Sequence, residues 1–284
     1  MSDNGNQLIV VNSGAGYILD LTTNVFTKIT SGGFPANANQ VVFHDSRFIA
    51  SNSGTKDFYI SGILDGNSWS ALNKASIVSA PDNITGLIRT NTDVWMFGEK
   101  TAEPWQNTGN ADFPYERLNN AVQSIGTKNP WTIQKINNQI YFLGSNKDGY
   151  GAIWRTNGYG LEMVSTEVIN EKINEIGLTT DARAYTYQEK GNYFYVITIP
   201  SLDKTFAYES LSNKWHERAY WDTFTSSFKR HRSDYQAFAF GKNYVGYSGD
   251  NKVYQFDSSY KYDDTDLITL DRDWETLDNQ TCVV

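Results

Sequence analysis

The sequence predicts an all-β protein, a β-propeller of about six blades, because a multi-strand pattern repeats along the chain and helix is scarce. The first strands of six similar segments begin near Gln7, Gln40, Ile84, Trp131, Ala182 and Asp234. After a shorter first interval, the spacing is roughly 40–50 residues, the length of a four-stranded propeller blade. The short interval leaves open an incomplete first blade. The repeats assign the propeller to residues 1–262.

The turns and the strands that follow them support this assignment. Asp45-Ser46, Asn137-Asn138, Lys190-Gly191-Asn192 and Gly241-Lys242-Asn243 each join two apolar segments, and these residue types tolerate the positive φ of tight hairpins. The second strands, such as 48–50 and 140–143, are continuously apolar, which predicts burial between blades. Residues 18–26 and 206–215 share a strand–turn–aromatic pattern, typical of the outer hairpin of a blade.

A single helix is predicted, over residues 166–177. Val168, Ile169, Ile173 and Ile176 share roughly one face, and Gly177 can supply a positive-φ stop. We interpret this helix as the connection between the fourth and fifth blades. The tryptophans at positions 69, 131, 154 and 215 are predicted to pack between blades.

The charge is concentrated near the end of the chain. The 284 residues contain 24 Lys+Arg and 32 Asp+Glu, a formal charge of −8. Residues 257–284 hold eight acidic residues against Lys261 and Arg272, so the rest of the chain is nearly neutral and lacks the positive field of a non-specific nucleic-acid binder. Residues 263–284 are expected to be an acidic tail, poorly structured or the remnant of a truncated continuation.

The sequence offers no catalytic, cofactor or metal site. His44, His216 and His231 do not have metal-ligand spacing, and Cys282 is the single cysteine, so zinc and Cys–His chemistry are disfavoured. Residues 145–154 resemble the Ser-x-Asp-x-Gly-x-Thr-Trp turn of sialidase propellers. No pair of carboxylates can be assigned to glycan cleavage. A glycan-binding or sialidase-like propeller therefore remains the alternative to a non-enzymatic protein.

Two groups of residues are candidates for an interface. Trp105, Phe113 and Tyr115 lie in a stretch rich in Asn, Gly and Pro, where an exposed aromatic anchor is plausible and packing beneath the next blade is the competing interpretation. Lys229, Arg230 and Arg232 form the one marked basic cluster, which is either a solvated loop or a contact for an acidic partner.

One long stretch resembles a known family. Residues 95–105 (WMFGEKTAEPW) lead through 107–109 (NTG) and 112–115 (DFPY) to 140–144 (IYFLG), 149–155 (GYGAIWR) and Ser165-Thr166. In this order they are similar to the packaged-DNA stabilization proteins, or tail accessory factors, of short-tailed bacteriophages. The resemblance extends over residues 7–262.

The resemblance implies a virion protein of the tail, made in the host cytoplasm and located below the portal. It implies a hexameric ring that extends the tail and retains packaged DNA. Its implied partners are an upper tail adaptor, a tail needle and tailspikes, with DNA as passing cargo and no membrane. Charge reversal at Arg230 and Arg232 is then expected to weaken assembly onto tails and leave folding intact.

Overall fold

The computed structural model describes residues 1–146, 148–177, 180–250, 252–257 and 259–260, and the backbone of 262–263, 266–267, 271–272 and 282–283. The chain divides into two compact units. One comprises Met1–Pro130, Gly144–Gly149 and Asn157–Leu161, and the other comprises Trp131–Leu143, Tyr150–Thr156 and Glu162–Val284.

Three four-stranded antiparallel sheets, each formed by strands consecutive in the chain, lie within the first unit. The first contains β1 (Ser2–Asp3), β2 (Gln7–Val11), β3 (Gly16–Asp20) and β4 (Phe26–Lys28). The second contains β5 (Ala38–His44), β6 (Arg47–Asn52), β7 (Asp57–Gly62) and β8 (Asp65–Ser76). The third contains β9 (Ile84–Arg89), β10 (Asp93–Gly98), β11 (Ala102–Asn107) and β12 (Tyr115–Arg117).

Three more sheets follow in chain order. The fourth contains β13 (Gln134–Ile136), β14 (Gln139–Ser145), β15 (Gly151–Asn157) and β16 (Gly160–Met163). The fifth contains β17 (Arg183–Glu189), β18 (Asn192–Ile199), β19 (Lys204–Glu209) and β20 (Lys214–Asp222), whose far end pairs with β21 (Ser227–Arg230). The sixth contains β22 (Tyr235–Ala239), β23 (Lys242–Gly246) and β24 (Val253–Phe256).

Short elements complete the described chain. β25 (Tyr262–Asp263) pairs with β26 (Asp266–Leu267), and β27 (Asp271–Arg272) pairs with β28 (Cys282–Val283), which runs parallel to β20. The helix α1 spans Glu167–Glu175, and 3₁₀ turns occur at Asn119–Ala121, Pro130–Thr132 and Pro200–Leu202. Apart from these paired segments, the predicted acidic tail lies outside the described residues.

The six consecutive sheets are the blades of the predicted propeller, with one short helix between the fourth and fifth. The first blade has four strands, because β1 precedes the segment at which the repeat was expected to begin. The helix ends before Gly177, whose φ of +72° lies in the left-handed region, as predicted. Its buried side chains include Ile169 and Ile173, whereas Ile176 is exposed.

Tight hairpins set the register of several blades. Asp45 and Ser46 both have positive φ (44° and 65°), as do Lys190 and Gly191 (48° and 84°), which is the geometry of the type I′ turn. In the sixth blade, the left-handed pair is Phe240-Gly241, one residue earlier than the sequence suggested. These turns hold the strands so that alternate side chains fall on opposite faces.

The blade cores are formed by the second and third strands. Phe48, Ile49 and Ala50 of β6 are fully buried, as are the centres of β10, β14 and β18. Of the four tryptophans predicted to pack between blades, Trp69 and Trp215 are buried and Trp154 is partly buried. The prediction is wrong for Trp131, which is 61% exposed.

Candidate interaction surfaces

The predicted aromatic anchor lies in the core of the first unit. Trp105 is buried with its ring edge-on to Phe58 at 5.0 Å, and Tyr115 is buried beside His44. The Tyr115 hydroxyl donates to the His44 carbonyl oxygen at 2.9 Å. Phe113 is half-buried and packs on the same cluster. Trp105 and Tyr115 are therefore packing residues of the second and third blades, which corrects their assignment as exposed interface candidates.

The electrostatics of this buried pair are structural. Burial raises the pKa of Tyr115 and lowers the pKa of His44, so both side chains are neutral near pH 7. The His44 Nδ1 and the Tyr115 hydroxyl are 3.3 Å apart. A neutral hydrogen-bonded pair in the core joins β5 to β12 and offers no surface to a partner.

The basic cluster is neutralised within its own unit. The Lys229 Nζ lies 3.4 Å from the Asp203 carboxylate, and the Arg230 guanidinium is paired with the buried Asp234 carboxylate. The Arg232 guanidinium lies over the Tyr220 ring, 4.0 Å from its centroid. These contacts tie β21 and the start of the sixth blade to their neighbours. The cluster is neither a solvated loop nor a bare positive patch.

Sequence reasoning missed the hairpin formed by β20 and β21, which we call the aromatic hairpin (residues 219–230). At its tip, Phe224 is 95% exposed. Trp221 and Phe228 are opposite each other in the register and pack edge-on at 5.0 Å, and both are exposed. The Phe224 amide donates to Asp222 Oδ1 at 2.9 Å, which orders the turn. The available signal was the polar turn 222–227 between two aromatic residues.

An exposed aromatic tip on an ordered hairpin has the properties of an interface anchor. Aromatic residues dominate the binding energy of protein interfaces, and contiguous exposed apolar groups mark interaction sites on soluble proteins. The base of the hairpin is held by Arg230, whose amide donates to Asp203 Oδ1 at 3.2 Å. The hairpin is therefore preorganised for contact.

A buried cation lies at the junction of the fifth and sixth blades. The Arg218 guanidinium donates to the Tyr187 hydroxyl at 2.6 Å and to His216 Nε2 at 3.0 Å. Its carbon lies 5.4 Å from the centroid of the Tyr187 ring and 5.1 Å from that of Phe256. Burial and the Arg218 charge lower the pKa of His216 to about 4. Burial and the charges of Arg218 and Arg232 lower the pKa of His231 to about 3.

We expect this junction to make the protein acid-sensitive. An unfolded histidine binds a proton near pH 6.5, whereas folded His216 and His231 do not until the pH approaches 4 and 3. Stability is therefore lost as pH falls below 6.5, at up to about 1.4 kcal/mol per pH unit for each histidine. Urea midpoints measured at pH 7.0, 6.0 and 5.0 should decrease. The double variant His216→Gln, His231→Gln should decrease less, and equal slopes would contradict the prediction.

Neither metal clusters nor membrane helices are found in the part of the chain that the structure describes. No group of three His, Cys, Asp or Glu side chains there is arranged to hold a metal ion. No described helix is both long and apolar enough to span a bilayer.

Comparisons with known proteins bear on what these surfaces serve. A family model described as "Bacteriophage P22 Gp10, beta-propeller" matches residues 1–261. Curated protein sequences gave no match. A structure titled dihydro-heme d1 dehydrogenase NirN in complex with DHE is similar with a TM-score of 0.57 and 8% identity, over 95% of this chain. This chain spans only 55% of that protein.

A putative 6-phosphogluconolactonase of Bacteroides fragilis is similar with a TM-score of 0.57 and 9% identity, over 91% of this chain and 80% of that protein. At such low identity, both likenesses concern the fold alone.

Proposed function

The chain belongs to the phage family of the bacteriophage P22 Gp10 β-propeller, and we propose that it is a structural protein of a short-tailed phage tail. In this proposal it lies below the portal, extends the channel and keeps packaged DNA in the head. It forms a ring, six copies being expected, and contacts an upper tail adaptor, a tail needle and tailspikes. The family match over residues 1–261 carries the proposal.

The surface chemistry supports an assembly role. The aromatic hairpin is an ordered anchor, and the basic cluster is internally paired, which suits a protein that contacts other proteins without holding DNA tightly. The near-neutral charge of residues 1–256 also suits a channel through which duplex DNA must pass.

The genome-retention role is tested with phage particles. Particles assembled without this protein should lose DNase-protected DNA, and protein supplied from a plasmid should restore it. If particles without the protein retain their DNA, the stabilising role is wrong, although a place in the tail would survive.

The contact surface is tested by changing the aromatic hairpin. The double variant Trp221→Ser, Phe224→Ser should reduce incorporation into virions by at least about tenfold, because buried aromatic anchors contribute about 2 kcal/mol or more each to binding. Incorporation is measured by quantitative blotting of purified particles.

The control is Leu211→Ser, which changes an exposed apolar residue in the β19–β20 turn of the same blade. It should leave incorporation unchanged. Both proteins should keep the wild-type melting temperature, since the changed side chains are exposed. Full incorporation of the double variant would remove the hairpin from the interface.

A further inference from the structure

The second unit contains a cavity of about 470 Å³ that no function described above uses. Its wall is formed where the first strands of the fourth, fifth and sixth blades (β13, β17 and β22) end, together with the turns that follow. Among the lining residues are Lys135, Asn137, Gln188, Lys190, Phe238 and Asn243. The volume is within the range of small-molecule sites in proteins.

The lining carries positive charge and no acid. Lys135 and Lys190 both line the cavity, and neither Asp nor Glu does, although the chain as a whole has a charge of −8. The positive field of Lys190 also contributes to the lowered pKa of Asp257, after hydrogen bonds to Ser259 and Gln255. An anionic group is therefore favoured in the cavity, because opposite charges a few ångströms apart attract strongly in a partly enclosed site.

Amide side chains form an ordered row along the wall. The Gln236 Nε2 donates to Asn243 Oδ1 at 2.9 Å, and the Asn243 Nδ2 donates to the Gln188 carbonyl oxygen at 3.3 Å. Each amide combines a donor and an acceptor, which matches the adjacent hydroxyl groups of a sugar. The hydrogen bonds between the amides fix their orientation before a ligand arrives, which reduces the entropy lost on binding.

Aromatic side chains complete the wall. Tyr193 lines the cavity, and Phe238 lines it with 69% of its surface exposed. Such an exposed ring can stack on the apolar C–H face of a pyranose. The lining contains no arginine, the side chain that recognises phosphate and carboxylate bidentately. The combination of lysine, amide and ring therefore favours an acidic sugar over a phosphate group.

We propose that this cavity is a binding site for an acidic saccharide, with the sugar carboxylate at Lys135 and Lys190, its hydroxyl groups on the amide row and one ring face on Phe238. The site binds and does not cleave, because glycoside hydrolysis requires two carboxylates and the cavity wall has none. This activity is additional to the proposed tail role, and it is measured on the isolated protein, so either can fail without the other.

The test is calorimetric titration of the full chain with digalacturonic acid and with sialyllactose. At least one is expected to bind saturably, at least about tenfold more tightly than its neutral counterpart, the digalacturonate methyl ester or lactose. Inorganic phosphate at equal ionic strength should not saturate. Failure of both acidic sugars to bind would overturn the proposal, and so would equal binding of phosphate or of the neutral sugars.

Variants locate the binding. Lys190→Gln should weaken binding by about tenfold or more, and Phe238→Ala should weaken it several-fold. The matched control is Lys242→Gln, in the β22–β23 hairpin, since Lys242 Nζ donates to the Gln255 side chain and does not line the cavity. Circular dichroism confirms folding of all three. If Lys190→Gln and Phe238→Ala bind like wild type, or Lys242→Gln weakens binding equally, the proposed site is wrong.

Discussion

Replacing Arg230 by glutamate should destabilise the protein by about 3–5 kcal/mol, the cost of breaking a buried ion pair. The Asp234 carboxylate is fully buried, and Arg230 is its closest cation, with Arg183 Nη1 more distant at 3.9 Å. Hydrogen bonds from Ser248 and Arg230 hold the pKa of Asp234 below its ordinary value, although burial opposes them. The carboxylate therefore stays ionised and would face a second negative charge.

Urea unfolding measures this effect, and the adjacent residue provides the control. Lys229→Glu also reverses a charge, but its partner Asp203 is 46% exposed, and solvent-exposed ion pairs contribute at most about 1 kcal/mol. The two variants change the net charge identically, so a difference between them reports burial. If Arg230→Glu unfolds at the wild-type midpoint, the buried pair does not stabilise the fold. The expectation from sequence, that reversing Arg230 spares folding, would then stand.

Local sequence information predicted the architecture because each blade is built from neighbouring strands. The Asp45-Ser46 and Lys190-Gly191 turns require positive φ, which is a property of the turn itself. The apolar β14 segment is buried regardless of which blade lies beside it. Such features repeat with each blade, so the period was visible without knowledge of distant contacts.

The candidate surfaces could not be predicted as well, since their exposure depends on partners distant in the chain. Tyr115 is buried because it reaches His44, 71 residues earlier. Lys229 is neutralised by Asp203, 27 residues before Arg230 and on another turn. Phe224 belongs to an extra hairpin beyond the four-strand repeat, so a pattern fitted to blades assigned it no role.

Two adjacent glycines in the β4–β5 connection should respond oppositely to alanine. A Cβ at Gly33 would lie 2.4 Å from the Ser70 carbonyl carbon and 2.5 Å from the Ala71 nitrogen, whereas a Cβ at Gly32 meets nothing within 4 Å. Because the neighbours of Gly33 are backbone atoms of β8, they cannot rotate away. Gly33→Ala should cost about 2–3 kcal/mol, as overpacking does. Gly32→Ala should be neutral or slightly stabilising.

The Gly33 contact is rigid because other bonds hold the connection against β8. The Ser31 hydroxyl donates to the Trp69 carbonyl oxygen at 2.7 Å, and the Trp69 amide donates to Ser31 Oγ at 3.0 Å. The Phe34 ring packs edge-on to Trp69 at 5.0 Å. An alanine at position 33 must separate these groups, so its melting temperature should fall by about 4–12 °C. Equal melting temperatures for the two variants would mean that the first and second blades are not clamped at this point.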